Sequence, residues 1–332
     1  MKHYRSQEEI LADWSGQDIH KPLVSILCDT FKHEAYLSDA LEGFLSQKTN
    51  FPFEIIVHED ASPDGTPALL KEFESRYPLL IKPIYQKENQ FSKIGTRGIW
   101  GETTFPRARG KYIALCEGDD YWIDPYKLQK QVDFLETNPD YVITWTNYWN
   151  KKGEELWSND FTETLPPIHT IDFDNLFVPY CTLTLTSLFR RSAVNPQDFT
   201  NFQYVKDNTL YGLVLCHGKG AFLNFQGGVY RWHMGGIYSL KPAFFQRYSS
   251  YLNVKEIYDR LPQAQTSNMQ KVIQSLLKDS AFEALKLYRD KEAYAKEPQQ
   301  AVQLFLKQAS FGMRMKFWRR HIKMNYFGIK YN

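Results

Sequence analysis

Three carboxylates fall within four positions in "CEGDDYW", residues 116 to 122, directly after the apolar run "YIAL". Glu117, Asp119 and Asp120 repel one another, and such crowding raises carboxylate pKa values and costs stability unless the charges reach water, a basic group or a metal. Two of them spaced i and i+2 on a turn can aim at one hard cation, since Mg²⁺ and Mn²⁺ take oxygen ligands. A magnesium that keeps several waters and bridges phosphates needs only one or two protein carboxylates. The competing reading is a solvated acidic turn in which Asp119 or Asp120 caps a helix starting near Pro125.

Other residues of chemical interest stand at similar places. "DASPDGT", Asp60 to Thr66, superficially fits the start of a calcium loop, with Asp60, Ser62 and Asp64 alternating before Gly65. That loop requires a bidentate Glu at its twelfth position, which here is Lys71, so the calcium reading fails. Asp64 and Gly65 read instead as a turn, whereas Asp60 lies at a strand end where it can accept a hydrogen bond from a ligand. Asp207 heads "DNTLYGLVLCHG" and suits a proton acceptor or a helix cap. Arg231 and His233, two apart at the end of "GVYRWH", face one side of a strand, and the glycine-bearing "MGGIYS" that follows suits a mobile loop. Trp145, Tyr148, Trp149 and Trp157 offer faces for sugar rings, although in a chain with 8 Trp, 21 Tyr and 23 Phe core packing accounts for most aromatics.

The elements that must position these residues begin at "LVSILC", a buried strand by its apolar run. In "EAYLSDALEGFLSQ" the residues Tyr36, Leu37, Ala40, Leu41, Phe44 and Leu45 form one helical stripe. "FEIIVHED" and "LLIKPIYQ" read as strands on either side of the helix "TPALLKEFESRY", with Thr66 as its N-cap and Pro67 at the first helical position. "KENQFSKIGTRGIWGETTFPRARG" has no clear period, and "KYIALC" then resumes the sheet. Alternating strands and helices imply parallel β-α-β units, whose ligands bind at the carboxyl ends of the strands, where "HEDAS" and "CEGDD" both sit. Further on, "YVITWT" and the Thr-alternating "CTLTLTSLF" are expected strands, "NTLYGLVLCHG" a short helix, and "GAFLNF" and "GVYRWH" two more strands. Beyond Lys241 the chain reads as helical, with "MQKVIQSLLKDSAFEALKLYRDKEAYAK" and "QQAVQLFLKQASFGMRMKFWRRHIK" as long helical segments.

The 332 residues, 43% of them hydrophobic, suffice for one large domain or one domain with an appended subdomain. A net charge of +2, from 40 Lys and Arg against 38 Asp and Glu, gives no case for nucleic acid as a partner. Cys28, Cys116, Cys181 and Cys216 are far apart and form no C-x-x-C pair, which favours thiols in a reducing compartment, and the cytoplasm is the expected location. The polar start "MKHYRSQEEILADW" lacks the apolar core of a signal peptide, and no run approaches the roughly 20 apolar residues of a membrane span. The tail "FGMRMKFWRRHIKMNYFGIKYN" mixes Arg314, Lys316, Arg319, Arg320, Lys323 and Lys330 with Phe311, Met313, Met315, Phe317, Trp318, Ile322 and Met324, without an acidic residue. Two readings of it stand: peripheral contact with the anionic inner face of a membrane, or packing of Phe317 and Trp318 onto the rest of the chain.

Taken in order, "PLVSILCDTFKHEAYLSDALEGFLSQ", "FEIIVHEDASPDGT" and "ARGKYIALCEGDDYWIDPYKLQKQVDFL" resemble the nucleotide-sugar-binding half of glycosyltransferase family 2, the inverting GT-A enzymes. The resemblance implies an α/β fold of GT-A type, a Rossmann-like mixed sheet flanked by helices. It divides the chain into a catalytic domain over 1–240, with a donor half at 22–150 and an acceptor half at 151–240, and a helical C-terminal region over 241–332. It assigns the donor to Thr30, Phe31, Glu34, Asp60, Ser62, Gly118 and Arg231, with Asp60 on the base. The family's Asp-x-Asp motif falls on Glu117, Gly118 and Asp119, so that Asp119, with Glu117 and His233, would hold Mn²⁺ or Mg²⁺ on the donor diphosphate. Glu117 departs from the usual Asp, which makes Asp119 the main ligand and lets Glu117 act through water. "VKDNTLYGLVLCHGKGAFLNFQGGVYRWHMGGIYS" resembles the family's segment with the general base and a "YR-x-H-x-x-G" element, which puts the base on Asp207.

The implied activity is transfer of a sugar from a nucleotide-diphosphate donor, a UDP-sugar first of all, to a hydroxyl of a glycan or lipid-linked glycan, with inversion, in cell-surface polysaccharide or glycolipid assembly. The rivals are a catalytically silent sugar-nucleotide-binding protein and another metal-dependent nucleotide-using transferase. The last would usually carry a glycine-rich basic loop after its first strand, and "CDTFKHEAY" has none.

Overall fold

In the computed structural model, which describes residues 5–159, 161–236, 241–288, 290 and 292–325, the chain divides into two units, Met1–Gly235 and Gly236–Asn332. Residues 237–239 of the expected mobile loop, and Lys330, lie outside the described residues. The first unit opens with α1 (Gln7–Ala12), held by a capping box between Ser6 and Glu9. The expected alternation follows: β1 (Val24–Thr30), α2 (Leu37–Leu45), β2 (Phe53–Glu59), α3 (Thr66–Arg76) and β3 (Ile81–Tyr85). α3 includes Thr66 instead of starting after it: the N-cap position is Gly65, without a side-chain cap bond, and Thr66 donates to Asp64 Oδ1 from both its backbone N–H (3.1 Å) and its hydroxyl (2.6 Å). The segment without a period folds as α4 (Phe91–Gly98), a π-helical turn over Ile99–Thr104 and a 3₁₀ turn over Phe105–Arg107. Gly95, at φ +59°, interrupts α4, a conformation that glycine adopts without strain.

The unit continues with β4 (Tyr112–Leu115), β5 (Tyr121–Trp122), α5 (Lys127–Thr137), β6 (Tyr141–Lys152), β7 (Glu155–Ser158), α6 (Phe161–Thr164), β8 (Ile168–Ile171), β9 (Leu188–Arg190), α7 (Asp207–Leu215) and β10 (Lys219–Arg231). One mixed sheet runs in the order β3-β2-β1-β4-β9-β6-β10-β5, with β7 on β6 and β8 on β10. The first four of these strands are parallel, β9 lies antiparallel between β4 and β6, and β10 runs parallel to β6. Every residue of β2 is buried, as a strand covered on both faces requires. Leu37, Ala40, Leu41 and Phe44 of α2 share a core with Val24, Ile26 and Cys28 of β1. The parallel register pairs Thr30 with Glu59 and Leu27 with Leu115, so the carboxyl ends of β1, β2 and β4 form one edge.

Three expected strands are corrected. In "CTLTLTSLF" only Leu188–Arg190 pairs, while Thr184–Thr186 is a 3₁₀ turn. There the hydroxyls of Thr186 and Ser187 donate to Leu183 O (2.9 Å) and Thr184 O (2.8 Å), local bonds that compete with a sheet ladder. "GAFLNF" and "GVYRWH" join in one strand, β10, which ends at Arg231 and whose register against β6 shifts between Leu223 and Gly228.

The second unit is helical: α8 (Ala243–Arg260), α9 (Ser267–Leu287), α10 (Lys296–Gln308) and α11 (Phe311–Asn325). The last expected helical segment breaks at Ala309, whose ψ of 143° is extended. Phe317 of α11 is fully buried, with its ring 5.3 Å from Phe282 of α9 and 5.4 Å from Phe305 of α10. Among the described residues no helix is long and apolar enough to cross a membrane.

Candidate active site

The loops after β1 and β2 interlock. Ser62 Oγ accepts from Lys32 N (2.9 Å), Thr66 Oγ1 from His33 N (2.9 Å), and Glu34 Oε2 from Gly65 N (2.9 Å). These bonds hold Lys32 and Ala61 at φ of +59° and +57°, a left-handed backbone uncommon for either residue. Glu34 and Ser62, expected on the donor, thus join one loop to the other. Asp60 is 3% exposed, and its two oxygens accept from Gln90 N (2.6 Å) and Phe91 N (2.9 Å) at the start of α4. Thr30 is buried with no hydrogen-bond partner on its Oγ1, and Phe31 is half-buried with the Lys32 ammonium 5.1 Å from its ring centre.

The turn after β4 lies against β1, with Gly118 N donating to Asp29 O (3.0 Å). A Cβ on Gly118 would stand 2.8 Å from Thr30 Oγ1 and 3.0 Å from His33 Nδ1, so this close approach requires glycine. It delivers Asp119 between two imidazoles, with His233 Nε2 at 3.0 Å and His33 Nε2 at 3.6 Å from Oδ2. Tyr36 covers His233 at a ring separation of 4.6 Å. Burial works to raise the Asp119 pKa, but the hydrogen bond with His233 and the charge of His33 outweigh it and hold the carboxyl below its ordinary value. Burial also dominates His33 and pushes its pKa down despite the neighbouring Asp119. His33 was not foreseen: it stands in plain view in "FKHEAY", but a lone histidine after a strand becomes informative only once Asp119 is known to reach it.

Arg231 braces this loop. Its backbone N–H donates to Asp120 Oδ1 (2.8 Å), its Nη1 to Asp119 O (2.8 Å) and its Nη2 to Asp39 of α2, while its guanidinium lies 4.3 Å from the Tyr121 ring centre. At 8% side-chain exposure the guanidinium is engaged inside the protein, where the resemblance had put it on the donor. Asp120 is raised well above the carboxylate range by burial and then by the charge of Asp119. It does not cap α5. The N-cap position is Tyr126, which has no side-chain cap bond, and Asp124 accepts from Tyr126 N at 2.8 Å just ahead of the helix.

Glu117 groups with Asp207. Burial raises its pKa strongly, and the next influence is the charge of Asp207, ahead of Asp120 and Asp119. Asp207, the first residue of α7, is likewise raised by burial, against a hydrogen bond with Thr184 and the charge of Lys206. The phenol of Tyr230, raised first by burial, feels Asp120, Asp119, Glu117 and Asp207 together. Of the expected sugar platform, Trp145 is fully buried edge-on to Tyr211 at 5.1 Å and Tyr148 is also buried, so these two belong to the core. The exposed Tyr180 donates from its hydroxyl to Asn208 Oδ1 (3.4 Å), next in sequence to Asp207, and its ring lies parallel to Phe177.

Among the described residues no three His, Cys, Asp or Glu side chains form a ready-made metal cage. Asp119 and His233 nevertheless present a carboxylate oxygen and an imidazole nitrogen 3.0 Å apart. A divalent cation that completes its shell with phosphate and water fits such a donor pair.

A mixed sheet with acidic turns at the carboxyl ends of its parallel strands and helices after it defines the class: an α/β fold of GT-A type. The profile described as Glycosyl transferase family 2 matches residues 25–195, and the chain belongs to this family. An uncharacterized protein of Mycobacterium tuberculosis is 43% identical over 120 residues, 36% of this chain and 33% of that protein, so the match spans a third of the relative's length. The UDP-Glc:alpha-D-GlcNAc-diphosphoundecaprenol beta-1,3-glucosyltransferase WfaP of Escherichia coli is 28% identical over 238 residues, 69% of this chain and 85% of WfaP. TarS 1-349 of S. aureus, solved in complex with UDP-GlcNAc, superposes with a TM-score of 0.60 at 13% identity over 93% of both chains. The mannosyltransferase PcManGT of Pyrobaculum calidifontis, solved in complex with GDP-Man and Mn2+, superposes with a TM-score of 0.53 at 12% identity over 96% of this chain and 91% of its own. Both likenesses lie at the level of the fold.

Proposed function

We propose that the chain moves a sugar from a nucleotide-diphosphate donor to an acceptor hydroxyl with inversion at the anomeric carbon. The observation that carries this reading is the convergence of Asp119, His33 and His233 at the ends of β4, β1 and β10, with the half-buried carboxyls Glu117 and Asp207 nearby. The nucleotide sugar bound by TarS supports a UDP-sugar donor. The acceptor in the name of WfaP supports a lipid-linked glycan, and with it a place in surface polysaccharide or glycolipid assembly at the cytoplasmic face of a membrane. Residues 1–240 would be the catalytic domain, with the donor on 22–150 and the acceptor on 151–240, and 241–332 its helical extension.

Asp119 and His233 would hold the divalent metal, and Mn²⁺ or Mg²⁺ bound there would offset charge on the departing diphosphate. Thr30 and Phe31 border the donor side of Gly118, with Asp60, Ser62 and Glu34 setting the shape of the loops around it. Asp207 takes the proton of the acceptor hydroxyl, and burial has moved its carboxyl upward, in the direction that makes it a better base. Glu117 would assist Asp119 at the metal through water, with the charge of Asp207 also acting on it. Arg231 acts as a positioning residue, fixing the backbone of Asp119 and the carboxylate of Asp120. One in-line displacement inverts the anomeric centre.

The test is a thermal-shift screen of nucleotide sugars with Mn²⁺, followed by transfer of the best binder to a lipid-linked glycan. A donor that binds the native chain raises its melting temperature. Donor binding without turnover over any acceptor would favour the silent sugar-nucleotide-binding protein, and no shift with any nucleotide sugar would remove both readings.

A further inference from the structure

The tail admitted two readings, a packed helix or a membrane contact, because its apolar residues did not lie on one side. In the structure they lie on two. Phe317 and His321 are buried within the second unit, with His321 4.4 Å from the Tyr288 ring. Phe311, Met315, Trp318 and Ile322 are 81%, 41%, 45% and 45% exposed, and their spacing of i, i+4, i+7 and i+11 places them on one stripe roughly 60° wide at 3.6 residues per turn. Arg319, Lys323 and Lys316 line one flank of the stripe and Arg314 the other, all exposed, and α11 carries no acidic residue.

We infer that this outer stripe of α11 is a docking face for an anionic lipid surface, lying in the interface plane while the inner face holds the helix to its unit. A helix with Trp, Phe and Ile on a narrow apolar face and cations beside it buries the apolar residues at the headgroup boundary and sets its basic residues among anionic headgroups. A second copy of the chain is a poorer occupant, since two such stripes meeting face to face would bring like-charged flanks together. The inference goes beyond the transfer reaction and is tested without donor or acceptor, so either reading can fail alone.

The experiment is sedimentation of the full chain with vesicles of phosphatidylglycerol and phosphatidylcholine, and with phosphatidylcholine alone, at low and high salt. The chain is expected to bind the anionic vesicles and to be released by salt. A variant carrying Phe311→Ser, Met315→Ser, Trp318→Ser and Ile322→Ser should bind at least roughly tenfold more weakly, measured below its melting temperature because Trp318 also packs edge-on against Phe317 and His321. A second variant with Arg314→Gln, Lys316→Gln, Arg319→Gln and Lys323→Gln keeps the stripe and should lose the preference for anionic vesicles. A full chain that stays in solution with anionic vesicles would overturn the inference. So would undiminished binding of the serine variant, or a dimer dissolved by those serines while vesicles go unbound.

Discussion

Two acidic strand ends flank β1, and they are built in opposite ways. After β2, each oxygen of Asp60 meets a backbone N–H, from Gln90 and from Phe91. After β4, Asp119 meets imidazoles, while Glu117 and Asp120 have other carboxylates among the groups that raise them. A buried carboxylate with two fixed backbone donors is satisfied as it stands. Buried carboxyls that face one another hold their protons more tightly and gain from an incoming cation or hydroxyl. The same residue type at neighbouring strand ends therefore serves as a clamp in one place and as an open site in the other, and the partners decide which.

The contrast is tested hardest at Asp119. Asp119→Ala should lower transfer by roughly 10³-fold or more, the scale of losing a group that stabilises leaving-group charge, and should also lower the melting temperature, because His233 and His33 hold its carboxylate below the ordinary value in the fold. Full turnover in that variant, or in the wild type after chelation, would break the comparison at its open end. Asp207→Asn comes next. It keeps the side-chain shape but not the basicity, and kcat should fall roughly 10²-fold with donor affinity intact. Unchanged kcat would move the base elsewhere.

How much of this was legible follows from the range of each interaction. The alternation β1-α2-β2-α3-β3 shows in the sequence because burial on a strand or helix leaves a local period; Asp119 and His233 stand out by their places near the ends of such elements, and Asp207 by the family resemblance. The stretch 99–107 was opaque because π and 3₁₀ turns have no helical period to detect. "CTLTLTSLF" misled because threonine alternation looks the same whether the hydroxyls face a ladder or bond to their own backbone. The bonds from Arg231 to Asp39 and from Asp60 to Gln90 join residues distant in sequence, and no spacing announces them.

Asp60 sharpens the closed end of the comparison. Asp60→Ala leaves two N–H groups at the start of α4 without their acceptor and should cost about 1–2 kcal/mol, read as a lower urea midpoint, whereas Asp60→Asn keeps one acceptor and should cost about half as much. If the carboxylate instead holds the nucleotide base, as the resemblance implies, Asn would weaken donor binding at unchanged stability, and the contrast with Asp119 would dissolve.

The smallest effect on transfer belongs to Lys127, a buried charge with no ligand to serve. It is fully buried in α5, its Nζ donates to Gln131 Oε1 (2.8 Å), and it stands 4.1 Å from the Trp122 ring centre. Burial lowers its pKa to about 7, against the charges of Cys116 and Asp124, from 10.5 in the open chain. Between those two values the unfolded chain binds more protons than the folded one, so this group makes stability rise with pH across that window. Below pH 7 both states are protonated and the full cost of burying the cation is present. Lys127→Met should therefore leave transfer unchanged and raise stability at pH 6 by about 1–3 kcal/mol, the range seen when a buried charge gives way to an apolar side chain of similar volume. The gap between variant and wild type should narrow as pH rises from 7 toward 10.5. Urea unfolding at pH 6 and pH 9 measures it, and a gap that stays constant would mean that Lys127 is held as a cation in the fold, with its charge matched by the surrounding groups as fully as that of Asp60.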